Sequence, residues 1–525
     1  MKPNRAALPS SEARRTLLRA SLAAASLGFP LLRLGAQTPS SADPFALGVA
    51  SGYPREDGVV LWTRLLAAPL RADSAGEPQG LGSRNIEVKW EVATDERFRL
   101  VSASGRVQAL AAEAHSVHVD VRGLQPGRDH WYRFEAGGER SPVGRTRTAP
   151  SSASAQRGAP AINMAFAACQ QYEQGFYAAY RDMAERSPDL VVHLGDYVYE
   201  SSWGSRHVRK HGSGVPATLA EFRDRYAIYK SDPDLKAAHA AAPWLVTWDD
   251  HEVANDYTDD ISPRTPDPAE FLAMRAAAYQ AWYEHMPVPP SMKPKGALAT
   301  IHGRYRFGQM LDVLMLDTRQ HRSHHACGAT SGFPVTDCDE RSDPQRSMLG
   351  MAQEAWLARE LAQPPTRWTL IAQSTLLATA DRKAGPERSY WMDGWDGYPA
   401  ARTRLLEAVA AHRPRNTVVI GGDVHAFYAA DLKPSADAAP IATEFVGGSI
   451  SSEGPPPGSV ATLLAENPHV RFGRSDKRGY ALMSLDARGC EVEFRAVEDV
   501  KQRESKVATL ARFAVEDGKA GVQPG

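Results

Sequence analysis

The sequence predicts an α/β domain preceded by a small β-sandwich, and three observations carry that expectation. Residues 44–150 hold short alternating segments broken by Gly/Pro turns, whereas the chain from Asn163 onward alternates short apolar runs with helical stretches. Between them, residues 149–160 are rich in Ser, Ala, Pro and Gly, the composition of a linker. A chain of 525 residues exceeds one ordinary domain, so two hydrophobic cores are expected, in domains spanning 44–150 and 160–525.

In the first domain, Val59-Val60-Leu61-Trp62 is a short apolar run, and residues 86–92 alternate strictly at the strand period. Residues 116–121 alternate again, Gly123-Leu124-Gln125-Pro126-Gly127 is a turn, and His130-Trp131-Tyr132-Arg133-Phe134 opens the next strand. The Leu-Gln-Pro-Gly turn before a Trp-Tyr strand resembles fibronectin-type modules, a fibronectin/Ig-like β-sandwich.

In the second domain, strands are expected at 164–167, 190–194, 245–248, 313–316, 369–372 and 417–420. Helices are expected at 176–186, 219–230, 270–285, 353–361 and 402–412. The alternation implies mainly buried strands. Near the end, Val507, Leu510, Ala511, Phe513 and Ala514 fall at helix-like spacing, which predicts a terminal amphipathic helix over 505–516, docked so as to narrow the pocket.

The first residues read as a leader and not as fold. Glu12-Ala13-Arg14-Arg15-Thr16 precedes a small-residue apolar run at 20–29 and then Leu34-Gly35-Ala36, the order of a signal peptide over 1–36. The paired arginines resemble a twin-arginine signal, which implies the twin-arginine export machinery as a partner and a periplasmic or extracellular destination. Residues 1–36 carry six basic groups and one acidic group, so their removal takes the formal charge from −1 to −6. No nucleic-acid-binding surface and no membrane anchor of the mature form are evident, because basic and acidic residues are well mixed and no long apolar span occurs. Four cysteines are too few for a disulfide scaffold; Cys327 and Cys338 lie close in a Gly/Ser/Asp-rich loop and could pair outside the cell or stand as exposed thiols.

Ligands in open α/β sheets sit beyond the carboxyl ends of strands, so the residues that follow each strand are the informative ones. They are Cys169-Gln170, Asp196-Tyr197-Val198-Tyr199-Glu200, Asp249-Asp250-His251-Glu252 through Asn255-Asp256, Asp317-Thr318-Arg319, and Asp423-Val424-His425. Thiol, carboxylate, phenol, amide and imidazole groups would thus gather along one edge. Four ionisable groups in succession at 249–252, after an apolar strand, would be costly to bury without a cation.

The segments Phe166-Ala-Ala-Cys169-Gln170, His193-Leu-Gly-Asp196-Tyr-Val-Tyr199-Glu200, Trp248-Asp-Asp-His-Glu-Val-Ala-Asn255-Asp256-Tyr257 and Gly421-Gly-Asp423-Val-His425 resemble the signature blocks of PhoD-type alkaline phosphatases, in the family's order. Gly48-Val-Ala-Ser51-Gly52 and Asp57-Gly-Val-Val-Leu-Trp62-Thr-Arg64 extend the resemblance into the preceding domain. The resemblance implies a metallophosphatase-like αββα sandwich and a site of one ferric iron with calcium. Cys169, Asp196, Tyr199 and His425 suit the iron; Asp423, Asn255 and a shared Asp196 suit calcium, with Asp250 as a further candidate.

The expected reaction is hydrolysis of small phosphate esters by in-line attack of a metal-activated oxygen nucleophile. His251 and Arg275 are candidates for holding phosphoryl oxygens or protonating the leaving group. A phosphodiesterase or phospholipase-D-like enzyme with the same site is the alternative. If the leader is a twin-arginine signal, changing Arg14 and Arg15 together to Lys will leave precursor inside the cell with little exported activity. Immunoblotting of cell fractions checks this, and normal export of the double variant would remove the reading.

Overall fold

Two large mixed sheets organise the protein, seen here in a computed structural model that describes residues 43–66, 81–152, 161–329, 333–412 and 414–525. The leader read at 1–36 and residues 153–160 of the linker lie outside the described residues. The first sheet runs, edge to edge, through Gln523–Pro524, Val507–Glu516, Gly489–Val497, Arg478–Leu485, Ile162–Ala167, Leu190–His193, Pro243–Val246, Val49–Arg55, Gly58–Arg64 and Ser116–Arg122. The second runs through Gly303–Phe307, Leu311–Met315, Trp368–Ala372, Thr417–Gly421, Ala442–Gly447, Phe427–Leu432 and Val470–Arg474. Ile162–Ala167, Leu190–His193 and Pro243–Val246 run parallel in the first, as do the four strands from Leu311–Met315 to Ala442–Gly447 in the second.

Side-chain alternation shows how the sheets stack. Val313, Leu370, Ile420 and Phe427 of the second sheet share a core with Phe166, Val191 and Met483 of the first. Their chain neighbours Leu314, Ile371, Val419 and Tyr428 pack instead with Leu357, Leu405 and Leu463 of helices Met351–Leu361, Pro399–His412 and Pro457–Glu466. A period of two therefore sends alternate residues to the facing sheet and to the covering helices. Helices Ala178–Arg186, Leu219–Lys230, Pro233–Ala241 and Pro268–His285 add Tyr180, Phe222, Leu235 and Trp282 to the core of the first sheet.

The starts of these helices are written locally. Thr218 and Glu221 form a reciprocal capping box, and Asp232 and Asp267 each cap a helix that begins with Pro.

The N-terminal strands also form two layers. Val59, Leu61, Val119 and Val121 pack against Val88, Val92, Tyr132 and Phe134, which come from Ile86–Ala93 and Asp129–Ala136. One layer is not separate from the rest, because Ser51 and Gly52 pair in parallel with Pro243 and Trp244 and continue the ten-stranded sheet. Periodicity within a strand reports which face is buried and says nothing of a partner distant in the chain.

The terminal helix expected over 505–516 is a correction: Val507–Glu516 is a strand, paired antiparallel with Gly489–Val497. The register jumps from Phe494↔Ala511 to Arg495↔Thr509, leaving Leu510 as the extra residue of a β-bulge. That insertion breaks the alternation, so Leu510, Ala511 and Phe513 mimic helical spacing. No residue from 503 onward lines the cavity described below, so the segment does not narrow it. Cys327 and Cys338 are disulfide-bonded, while Cys169 and Cys490 are buried thiols.

Phe513 closes an aromatic cluster, with ring centroids 5.3 Å from Phe472, 5.3 Å from Phe494 and 6.0 Å from Phe445. Phe513→Ala is expected to cost about 3 kcal/mol in a urea melt, the scale of a lost core ring. Leu510→Ala, at the partly exposed bulge, is expected to cost distinctly less. Equal losses would contradict the strand register.

Candidate active site

The candidate residues stand on loops that leave the carboxyl ends of parallel strands. Cys169 follows Ile162–Ala167, Asp196 follows Leu190–His193, Asp249 to Asp256 follow Pro243–Val246, and Asp423 and His425 follow Thr417–Gly421 of the facing sheet. Cys169, Asp196, Asp256, Asp423 and His425 all have positive φ, between 50° and 62°. Left-handed backbone at non-glycine residues costs about 1–3 kcal/mol each and concentrates where geometry is functional. Glycine is required where these loops touch. A Cβ at Gly195 would lie 2.6 Å from Asp249 Cβ, and one at Gly422 would lie 2.6 Å from Ala168 Cβ.

The loops bring donor atoms into contact range. Cys169, Asp196 and His425 offer ligand atoms within 4.8 Å of one another, as do Asp196, Asp250 and His251, and Asp250, Asp256 and Asp393. The Tyr199 hydroxyl donates to Asp196 Oδ2 at 2.8 Å and lies 3.1 Å from His425 Nε2 and 2.8 Å from Ser452 Oγ. His425 Nδ1 lies 2.8 Å from the Glu453 carbonyl oxygen, which fixes the proton there and leaves the Nε2 lone pair facing the cluster. Burial and the Arg478 guanidinium lower the His425 pKa to about 3, so the ring is neutral, as a ligand must be.

Electrostatics test whether these residues fit a cation. Burial pushes the proton affinities of Asp196, Asp423, Cys169 and Tyr199 well above their ordinary values, and neighbouring carboxylates push the same way. Left to itself the cluster would hold protons. A polyvalent cation could take the place of those protons, and it would meet a suitable donor set: a thiol, a phenol, an imidazole and a carboxylate on one side, carboxylate oxygens on the other. His251 behaves oppositely to His425: burial disfavours its charge, but Asp250, Glu200 and Asp196 together raise its pKa well above the ordinary value. Its Nδ1 lies 2.6 Å from Glu200 Oε2, and its ring is tilted 35° against the Tyr199 ring, with centroids 4.1 Å apart.

A second layer holds the loops in place. Glu252, with its pKa pushed up to about 7 by burial, accepts the backbone N–H groups of Asp196, Tyr197 and Asp249 and so ties two loops together. Arg319 donates to Asp249 at 2.6 Å and to both carboxylate oxygens of Asp393 at 2.8 and 2.7 Å. Arg322 and His325 each reach Asp393 at 2.8 Å, and Thr375 Oγ1 donates to Asp423 at 2.5 Å.

A cavity of about 610 Å³ opens over this cluster and is lined by Asp196, Asp250, His251, Asn255, Asp423 and His425. Cys169 and Tyr199 are fully buried beneath it. Arg275 is buried on helix Pro268–His285, donates to the Asp259 carbonyl, lies beside the Tyr279 ring and is not among the residues lining the cavity. Its helix packs on outer strands of the first sheet and, through Tyr279 and Trp282, directly on Trp248 just beyond the end of Pro243–Val246. Sequence reasoning left Asp256, Asp393 and Arg319 without roles. Asp256 and Arg319 stand in the quoted post-strand segments, whereas Asp393 follows no central strand and carries no comparable signal.

Comparison with known proteins agrees with the fold. Residues 164–494 match the PhoD-like phosphatase family, and residues 32–150 match the N-terminal domain of PhoD-like phosphatases. Alkaline phosphatase D of Bacillus subtilis (strain 168) is 40% identical over 494 residues, covering 92% of this chain and 82% of that protein. A solved structure described as the structure of PhoD superposes with a TM-score of 0.87 at 40% identity, covering 92% of each chain. The chain therefore belongs to the PhoD-like phosphatase family.

Proposed function

We propose that this phosphoric ester hydrolase is an exported alkaline phosphatase that cleaves phosphate esters at a site for ferric iron and calcium. The observation that carries the reading is the convergence of Cys169, Asp196 and His425, with Tyr199 bonded to the last two, beneath an open cavity. Thiolate, phenolate, carboxylate and neutral imidazole form a donor set that favours a hard, strongly polarising ion over zinc or magnesium alone. Asp196, Asp250, Asn255 and Asp423 would hold calcium through oxygen. When bound, the cations supply positive charge to the phosphoryl oxygens and a more acidic attacking water.

The chain's own groups do the rest. Asp196 stands between the two donor groups, Glu200 orients His251 through Nδ1, and the His251 ring at the cavity wall can hold a phosphoryl oxygen or hand a proton to the leaving alkoxide. The residue alternation along the two facing sheets, with helices outside both, supports a metallophosphatase-like αββα sandwich. The two-layered strands within 44–150 support a fibronectin/Ig-like module before a catalytic domain at 160–525. Export through the twin-arginine route to the periplasm or beyond is supported by the Cys327–Cys338 disulfide, which suits an oxidising compartment. Among the described residues no helix is long and apolar enough to cross a membrane. The cavity volume also admits a diester, and a panel of paired mono- and diesters separates the two activities.

Asp196→Asn tests the reading. It should lower phosphate release by at least ~10²-fold, the scale of a lost electrostatic stabiliser, together with a fall in bound metal. An active variant with full metal content would remove Asp196 from its bridging role.

A further inference from the structure

Beyond the carboxylates and imidazoles, the outer half of the cavity has a different chemistry. Its walls are Trp203, Phe333, Arg382, Trp391 and Pro456, largely flat and apolar with a single guanidinium among them. Phe333 is 78% exposed. Binding a bare phosphate uses none of these groups, and a volume of about 610 Å³ suits a whole organic ligand.

Arg382 and Trp391 indicate what such a ligand carries. The guanidinium carbon lies 5.2 Å from the Trp391 ring centroid, and no carboxylate pairs with Arg382 among the described residues. Arg382 Nε and Trp391 Nε1 are both buried donors without a protein acceptor. Those two atoms are sealed off from the cavity, but the terminal amino groups of Arg382 have no protein acceptor among the described residues and remain available to an acceptor brought by the ligand. The helix Pro457–Glu466 adds to this: Pro456 and Ser459 line the cavity, and Pro456 provides no side-chain cap, so the positive end of the helix dipole is offered to an anion.

The pair is held in place before any ligand arrives. Ser389–Tyr390, just ahead of Trp391, pairs with Val335–Thr336, and the Arg382 N–H donates to the Ser389 carbonyl at 2.9 Å. The Cys327–Cys338 disulfide closes the loop that carries Phe333 and Val335, and the Arg341 guanidinium packs 3.9 Å from the Tyr390 ring centroid. Ordering cost is thereby removed from binding.

We propose that the outer half of the cavity is a leaving-group subsite for nucleotide-like phosphate esters, in which Trp391 stacks on a flat base while the Arg382 guanidinium holds a second phosphate. The subsite rests on the phosphatase reading and adds to it the class of alcohol released.

The test uses the purified, exported full-length protein with its native metals and four esters: glycerol 3-phosphate, 1-naphthyl phosphate, adenosine 5′-monophosphate and adenosine 3′,5′-bisphosphate. Trp391→Ala should lower the ratio of kcat/KM on naphthyl phosphate to that on glycerol phosphate by on the order of 10-fold, the scale of one lost aromatic stack, mostly through KM. Trp391→Phe should restore that ratio. Arg382→Gln should lower the ratio of bisphosphate to monophosphate by a similar factor, and it decides alone if Trp391→Ala does not fold. Unchanged ratios in folded variants overturn the subsite while leaving the phosphatase standing. No phosphate release from any of the four esters by the native protein overturns the phosphatase reading and the subsite with it.

Discussion

Negative charge gathered in a buried cleft between two sheets is the constraint on which the rest of the structure depends. Asp196, Asp249, Asp250, Asp393 and Glu252 are buried, and the half-buried Asp423 interacts with Asp249, Asp250 and Asp393. Two like charges 4 Å apart repel by about 4 kcal/mol at an effective dielectric constant of 20, so several such pairs would exceed the whole stability of a typical domain. The protein answers part of this with Arg319 and Arg322, which together hold Asp393 ionised well below the usual carboxylate range despite its burial. Asp196 and Asp423 have no such cationic side chain within ion-pair distance among the described residues, apart from the weakly placed neutral His425, 4.0 Å from Asp196. That asymmetry marks where the protein's own cations stop and a bound metal would take over.

Holding such a cluster demands rigid support, and strained backbone is part of it. Five left-handed non-glycine residues fall on the post-strand loops, each immediately beyond a buried strand or its loop's first turn. The strands are fixed from both faces by the shared core, and Glu252 locks two of the loops by accepting three backbone donors. A strained loop on a rigid sheet keeps its ligand atoms in place without waiting for the ion. The same economy appears at the mouth, where a disulfide and a two-strand ladder brace Trp391.

Much of this was legible in the sequence because the relevant signals are local. Buried parallel strands read as short apolar runs, and residues 219–230 coincide with helix Leu219–Lys230, whose Thr218–Glu221 capping box marks its start. The ligand candidates followed from one rule, that function lies beyond strand ends, and all but Arg275 stand at or directly beneath the cavity. What failed required information from elsewhere in the chain. The bulge at Leu510 disguised a strand as a helix, and the Ser51–Pro243 pairing joined two sheets that composition had separated. Asp393 meets Arg319 only through the fold, and no spacing rule links residues so far apart.

If buried anionic donors define this site, the native exported protein must carry polyvalent cations bound by those donors, and a phenolate on ferric iron must absorb visible light. The most direct measurement is elemental analysis of the purified native protein alongside its absorption spectrum, for the native chain and for Tyr199→Phe. The expected result is iron and calcium bound to a coloured protein whose visible band weakens or shifts in the variant while the fold is kept. A colourless, fully active protein without iron would contradict the assignment of Cys169, Asp196, Tyr199 and His425 to a ferric ion.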